Sequence, residues 1–156
     1  MTSQYGKQTN MNKTQKMLKL WEEKIKSQKP ILYEEYRNFL KEFSRKLVKN
    51  EFTLIGKGLH SYVYKHNNEK VVLKISTGHT PDFYRSDEYD ATNPRFIGYI
   101  KISQDGRAAI QKFANCTPEA AEKAYQILMK KQLFNDYNHV GNLALVGKKA
   151  VIVDPY

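Results

Sequence analysis

Apolar positions along the chain change period after residue 50 and again near residue 117, separating helical from strand-like stretches. From Thr14, residues Met17, Leu18, Trp21 and Ile25 recur at helical spacing, and Glu22 stands four residues ahead of Lys26 in the orientation that supports a helix. Pro30 ends this helix and can occupy the first turn of a second, whose apolar face runs through Leu32, Tyr36, Phe39, Leu40, Phe43 and Leu47, with Glu42 set toward Lys46. The aromatic rings on that face predict a core rather than a ligand box. Past Asn50 the period becomes strand-like. Phe52 to Ile55, Tyr62 to Lys65 and Val71 to Ile75 read as three antiparallel strands, separated by Gly56-Lys57-Gly58 and by the turn-forming pair Asn67-Asn68.

Residues 77–94 are polar and punctuated by Gly78, Pro81 and Pro94, with one short helix expected near Phe83 to Tyr89. Two more strands, Phe96 to Ile102 and Ala108 to Phe113, flank the turn Gln104-Asp105-Gly106-Arg107. Thr117-Pro118-Glu119 then opens a helix: a hydroxyl cap, a proline whose missing N–H is not needed in the first turn, and a carboxylate near the positive end of the dipole. Ala121, Ala124, Tyr125, Leu128 and Leu133 carry its apolar stripe to about Phe134, and strands Leu143 to Val146 and Ala150 to Val153 follow around Gly147-Lys148-Lys149. The expected class is α+β: a five-stranded antiparallel sheet with N-terminal helices, one long helix and a C-terminal β-hairpin. Residues 1–13, rich in Gln, Asn and Thr, are expected as a disordered tail, 14–50 as a basic helical segment and 51–156 as the remaining domain.

Length and charge narrow the function classes. A chain of 156 residues can bury its own core. No apolar run approaches the roughly 20 residues that cross a bilayer, and the first dozen residues lack a signal-peptide core, so a soluble, cytoplasmic protein without a membrane partner is expected. Cys116 is the sole cysteine, which excludes an internal disulfide and a multi-cysteine zinc site and leaves a small half-buried thiol as the expectation. The net charge is +10, of which residues 1–50 carry +7. Such an excess points toward an acidic or polyanionic partner, including nucleic acid through the basic N-terminal helices. A solvated Lys-rich helix surface is the simpler reading, because no nucleic-acid-binding motif interleaves the lysines with exposed aromatics.

Candidate chemistry lies downstream of the helices. Gly56-Lys57-Gly58-Leu59-His60-Ser61-Tyr62-Val63 places a Gly-x-Gly turn between two strands, where backbone N–H groups can approach a ligand with no Cβ in the way. The strand after it, Val71-Val72-Leu73-Lys74-Ile75, sets one lysine among apolar residues, and a buried ammonium needs a countercharge that nucleotide phosphates would supply. Asn142 and Asp154, each at the end of a strand-bounded segment, are hard oxygen ligands suited to magnesium. His60, His66, His79 and His139 show no helical pairing with carboxylates or with Cys116, so no other metal centre is indicated.

This order resembles the protein-kinase signature set of Gly-rich loop, strand lysine, catalytic-loop asparagine and metal-binding aspartate. The wording Ile55-Gly56-Lys57-Gly58-Leu59-His60-Ser61, Val72-Leu73-Lys74-Ile75, His139-Val140-Gly141-Asn142-Leu143 and Ile152-Val153-Asp154-Pro155 is most similar to the early, host-modifying serine/threonine kinases of short-tailed bacteriophages. The resemblance spans Phe52 to the end. It implies a kinase N-lobe-like sheet, ATP and Mg²⁺ as cofactors, Gly56, Gly58 and Ser61 over the phosphates, Lys74 in contact with them, and Asn142 with Asp154 on the metal. It also implies a carboxylate orienting Lys74, for which Asp87 and Glu88 are the candidates, and a host-cell cytoplasmic location.

Two departures shape the functional expectation. The family's base lies five residues before the asparagine, which here is Tyr137, while Asp136 stands one residue away. A phenol with pKa about 10 does not accept a proton at neutral pH. The sequence also stops soon after Asp154, so a truncated kinase-like domain without a peptide platform is expected, its exposed apolar surface covered by a dimer mate or a partner. The preferred expectation is therefore a catalytically impaired, pseudokinase-like protein that binds and modulates a host protein. The alternatives are an active minimal serine/threonine kinase with Asp136 as base and Lys74 as catalytic cation, and a basic nucleic-acid-binding protein.

Overall fold

Helix α1 (Asn12–Gln28) starts inside the stretch expected to be a disordered tail, two residues before Thr14. The reason is a pair of acceptors that meet its orphan first-turn N–H groups. Asn10 Oδ1 accepts from Asn12 N at 3.2 Å, and the carboxylate of Glu69 accepts from Lys13 N at 2.7 Å and from Thr14 N at 2.9 Å. At the other end Lys29 adopts a left-handed conformation with φ 45°, and its N–H closes on Ile25 O. Pro30 is buried beyond this cap and does not enter α2 (Tyr33–Lys49), whose start is instead capped by Glu35 Oε1, accepting from Leu32 N at 3.0 Å and Ile31 N at 3.2 Å. Leu32 thus stands at the cap, outside the helical stripe it was expected to join, and is 66% exposed.

The computed structural model describes residues 10–57, 61–78, 83, 99–130 and 143–152. Two units divide the chain: Met1–Tyr84 with Tyr99–Gln111, and Arg85–Gly98 with Lys112–Tyr156.

In the first unit five antiparallel strands, β1 (Phe52–Lys57), β2 (Ser61–His66), β3 (Val71–Ser76), β4 (Tyr99–Ile102) and β5 (Ala108–Lys112), lie in the order β1-β2-β3-β5-β4. The α+β class with N-terminal helices and this sheet is the one the sequence predicts. Strand β3, flanked by β2 and β5, is buried along its whole length. Its residues Val71, Leu73 and Ile75 face α1 and α2 together with Ala108 and Ile110 of β5, while alternation sends Val72, Lys74 and Ser76 to the opposite face.

Trp21 is the centre of the helix layer. Its ring meets Phe39 at 5.0 Å, Phe43 at 5.1 Å and Tyr36 at 6.2 Å between centroids, all edge-to-face, the arrangement the ring quadrupole favours. Truncating a ring as enclosed as Phe43 costs about 3–5 kcal/mol. Polar contacts then fix where the layer sits. Tyr36 Oη donates to Ser76 O at 2.7 Å, and Trp21 Nε1 donates at 3.1 Å to Asp105 in the β4–β5 turn. Asp105 also accepts from Arg107 Nε at 2.8 Å, and the Arg107 guanidinium lies 4.8 Å over the Tyr36 ring. Gln104 N donates to Glu22 Oε2 at 2.9 Å, so the expected turn at 104–107 is tied to α1 twice.

The second unit joins α3 (Pro118–Lys130) to a hairpin of β6 (Leu143–Val146) and β7 (Lys149–Ile152). Thr117 caps α3 as its sequence predicts, its Oγ1 accepting from Ala120 N at 3.2 Å. Ala124 and Leu128 pack on Leu143 and Ala150, and Asn115 extends the hairpin by exchanging two backbone hydrogen bonds with Leu145. β7 starts at Lys149, one residue earlier than expected, because Gly147 at φ 61° allows a two-residue turn between the partners Val146 and Lys149.

Candidate functional site

The expected glycine turn is mostly ladder. β1 continues through Gly56 and Lys57, which pair with Val63 and Tyr62, because the register shifts by one residue between Leu54 and Gly56. Ile55 is the extra residue of this bulge. Without it the alternation would put Ile55 opposite Val63; with it, a residue lacking a side chain takes that place. Val63 in turn pairs with Lys74. Gly56, Val63 and Lys74 therefore form one row across three strands, with the backbones of Gly56 and Lys74 about 10 Å apart at the usual strand spacing. Ser61 and Ser76 form the next row, and alternation places their side chains on the same face as Lys74.

This face is the one turned away from α1 and α2. A Cβ added to Gly56 would meet Val63 Cβ at 3.4 Å, so the glycine is compatible with alanine in packing and is not required by its backbone conformation. Lys74 is 5% exposed, and its ammonium lies 6.0 Å from the ring centroid of Tyr99 in β4. A cation over an aromatic face offsets part of the cost of burial. Gln111 of β5, also buried, is the register partner of Tyr99. Nothing in the periodicity marked Tyr99, since its approach to Lys74 depends on β5 inserting between β3 and β4.

Of the predicted site residues, Gly56, Ser61 and Lys74 are thus brought to one face of one sheet. Gly58, Asp87, Glu88, Asp136, Tyr137, Asn142 and Asp154 lie outside the described residues. Of the histidines, His66 is described and has a structural role: its Nδ1 accepts from Asn68 N at 3.1 Å within the β2–β3 turn. Cys116 is exposed rather than half-buried, because the link before Thr117 runs along the surface.

A buried polar site that the sequence reading did not single out lies elsewhere, at the tip of the β2–β3 turn. Glu69 is 2% exposed and, besides the two α1 amides, accepts from Thr14 Oγ1 at 2.7 Å. Burial raises its pKa, but the Thr14 hydroxyl, the Lys13 and Thr14 amides and the neighbouring His66 outweigh it and hold the carboxyl below its ordinary value. Its partners lie 55 and 56 residues away in the chain, so no local motif announces it. No helix among the described residues is long and apolar enough to cross a membrane. No protein-family model matches the chain, and no curated protein matches it.

Proposed function

We propose that the chain is a protein-kinase-like protein of the phage type, impaired in phosphoryl transfer, that acts in the host cytoplasm by binding and modulating a host protein. The observation that carries the nucleotide half of this reading is the row Gly56–Val63–Lys74, which sets a side-chain-free position and a buried lysine on the sheet face away from the helices. Five antiparallel strands preceded by helices, and a long helix leading into a hairpin, agree with the architecture that the sequence resemblance implies. In this reading Gly56, Gly58 and Ser61 lie over the phosphates, Lys74 binds them, and Asn142 and Asp154 hold Mg²⁺. The metal, when bound, would neutralise charge on the phosphates. Tyr137 at the position of the family's base supports impairment of the transfer step.

Incubation with γ-labelled ATP and Mg²⁺, alone and with host extract, tests the impairment. The expected result is no label in the protein or in any extract protein above a no-enzyme control. Label that appears and is lost in Asp136→Asn would establish the active minimal kinase instead.

A further inference from the structure

A groove of about 1330 Å³ runs between α2 and strands β1 and β2, on the helix side of the sheet and therefore away from Lys74. That exceeds the roughly 300–1,000 Å³ of small-molecule sites, so its dimensions suit a polypeptide segment better than a metabolite. Six basic residues line it, Arg37, Lys41, Arg45, Lys46, Lys49 and Lys57, and among the described residues no Asp or Glu does. The acids of α2, Glu34, Glu35 and Glu42, fall on the remainder of the helix, and Glu35 is occupied by the α2 cap. The aliphatic part of the lining is Leu20, Leu40, Val48, Leu54 and Ile75, beside three tyrosines. Val48 is 62% and Leu54 43% exposed, and Leu54 belongs to β1, the edge strand of the sheet.

The geometry points to this groove as the docking surface for an acidic peptide segment of a partner protein, one in which aliphatic side chains alternate with Glu or Asp. Charge complementarity selects the acids. The aliphatic lining selects the apolar side chains, which a sugar–phosphate chain does not offer. Nucleic acid would need open aromatic faces for stacking. Of the rings in the lining only Tyr33 is exposed, at 51%, with the Arg37 guanidinium 5.8 Å over one face, and the half-buried Tyr62 has the Lys57 ammonium at 5.9 Å, so no run of open faces is presented to successive bases. A third ring, Tyr64, is buried with its hydroxyl bonded to Ser44. This inference deepens the partner-binding reading and rests on it for the existence of a protein partner.

Fluorescence anisotropy of the full chain with three labelled probes of equal charge tests it: a peptide of repeating Glu-Glu-Leu, an all-glutamate peptide and single-stranded oligothymidine. The Glu-Glu-Leu peptide is expected to bind about tenfold more tightly than either other probe, and about tenfold more weakly to Arg37→Glu/Lys41→Glu and to Leu54→Ser. Lys16→Glu/Lys19→Glu, the same charge change on exposed positions of α1, is expected to leave it unchanged. Tighter binding of oligothymidine, equal loss in both charge-reversal pairs, or no saturable peptide binding at low salt would each overturn the proposal. Thermal stabilisation by ATP and Mg²⁺ in the same variants separates this result from the nucleotide reading, because the groove and Lys74 lie on opposite faces of the sheet.

Discussion

Replacing Glu69 by Gln tests whether a carboxylate from the β2–β3 turn holds the start of α1. The carboxylate accepts three hydrogen bonds, from Lys13 N, Thr14 N and Thr14 Oγ1, all within 2.9 Å. Glutamine keeps one carbonyl acceptor for Thr14 but turns an NH₂ group toward a backbone N–H, and it removes the charge from the positive end of the helix. Losing one charged hydrogen bond costs about 1.5–3 kcal/mol, and losing the charge–dipole term about 0.3–1 kcal/mol. Because the contributions share one group they do not add fully, and about 2–3 kcal/mol is expected. Urea unfolding followed by Trp21 fluorescence reads it directly, since this single tryptophan is fully buried in the layer that α1 completes. The pH dependence supplies the sign. Glu69 has a folded-state pKa below its unfolded value, so its contribution is complete above the unfolded pKa of about 4.3 and is lost as pH falls through the lower folded value. The gap between wild type and Glu69→Gln should be constant near neutrality and narrow on acidification. A gap under about 0.5 kcal/mol at pH 7, or one that widens with acid, would refute the cap.

Tyr36→Phe keeps the buried ring and removes only the donor to Ser76 O, so it should cost about 1–2 kcal/mol in the same urea assay while the Trp21 emission maximum stays in place. Thr117→Ala removes the acceptor for Ala120 N and should lower the stability of the unit containing α3 by about 1 kcal/mol, read from hydrogen exchange of the α3 amides, with those of α1 and α2 unchanged.

Local signals were legible and remote ones were not. The periods of Met17, Leu18 and Trp21, of Tyr36, Phe39, Phe43 and Leu47, and of Val71 to Ile75 predicted the helices, their buried faces and the central strand, because each depends on neighbours within a turn or two of chain. Thr117 was readable for the same reason. The start of α1 was misplaced because the acceptor that satisfies its amides is Glu69, in another hairpin. Leu32 and Pro30 were assigned to α2 by pattern, although Glu35 caps the helix after both. In the site, the composition of β3 singled out Lys74, yet its alignment with Gly56 depends on a bulge at Ile55 that the sequence alone reads as the end of a strand. The basic excess of the first 50 residues was visible as a number. That the five cations of α2 line one groove beside exposed aliphatic residues is set by the packing of helix on sheet.

Thermal unfolding with and without millimolar ATP and Mg²⁺, in wild type and in Lys74→Met, tests most directly whether the Gly56–Val63–Lys74 row is a nucleotide site. Methionine keeps the linear side chain buried and removes the cation. Ligand at a hundred times its Kd stabilises the folded state by about 2.7 kcal/mol. For a chain of this length that raises the Tm by about 5–10 °C. The account predicts such a rise in the wild type and its loss in Lys74→Met. No shift in the wild type, or an equal shift in both proteins, would contradict it.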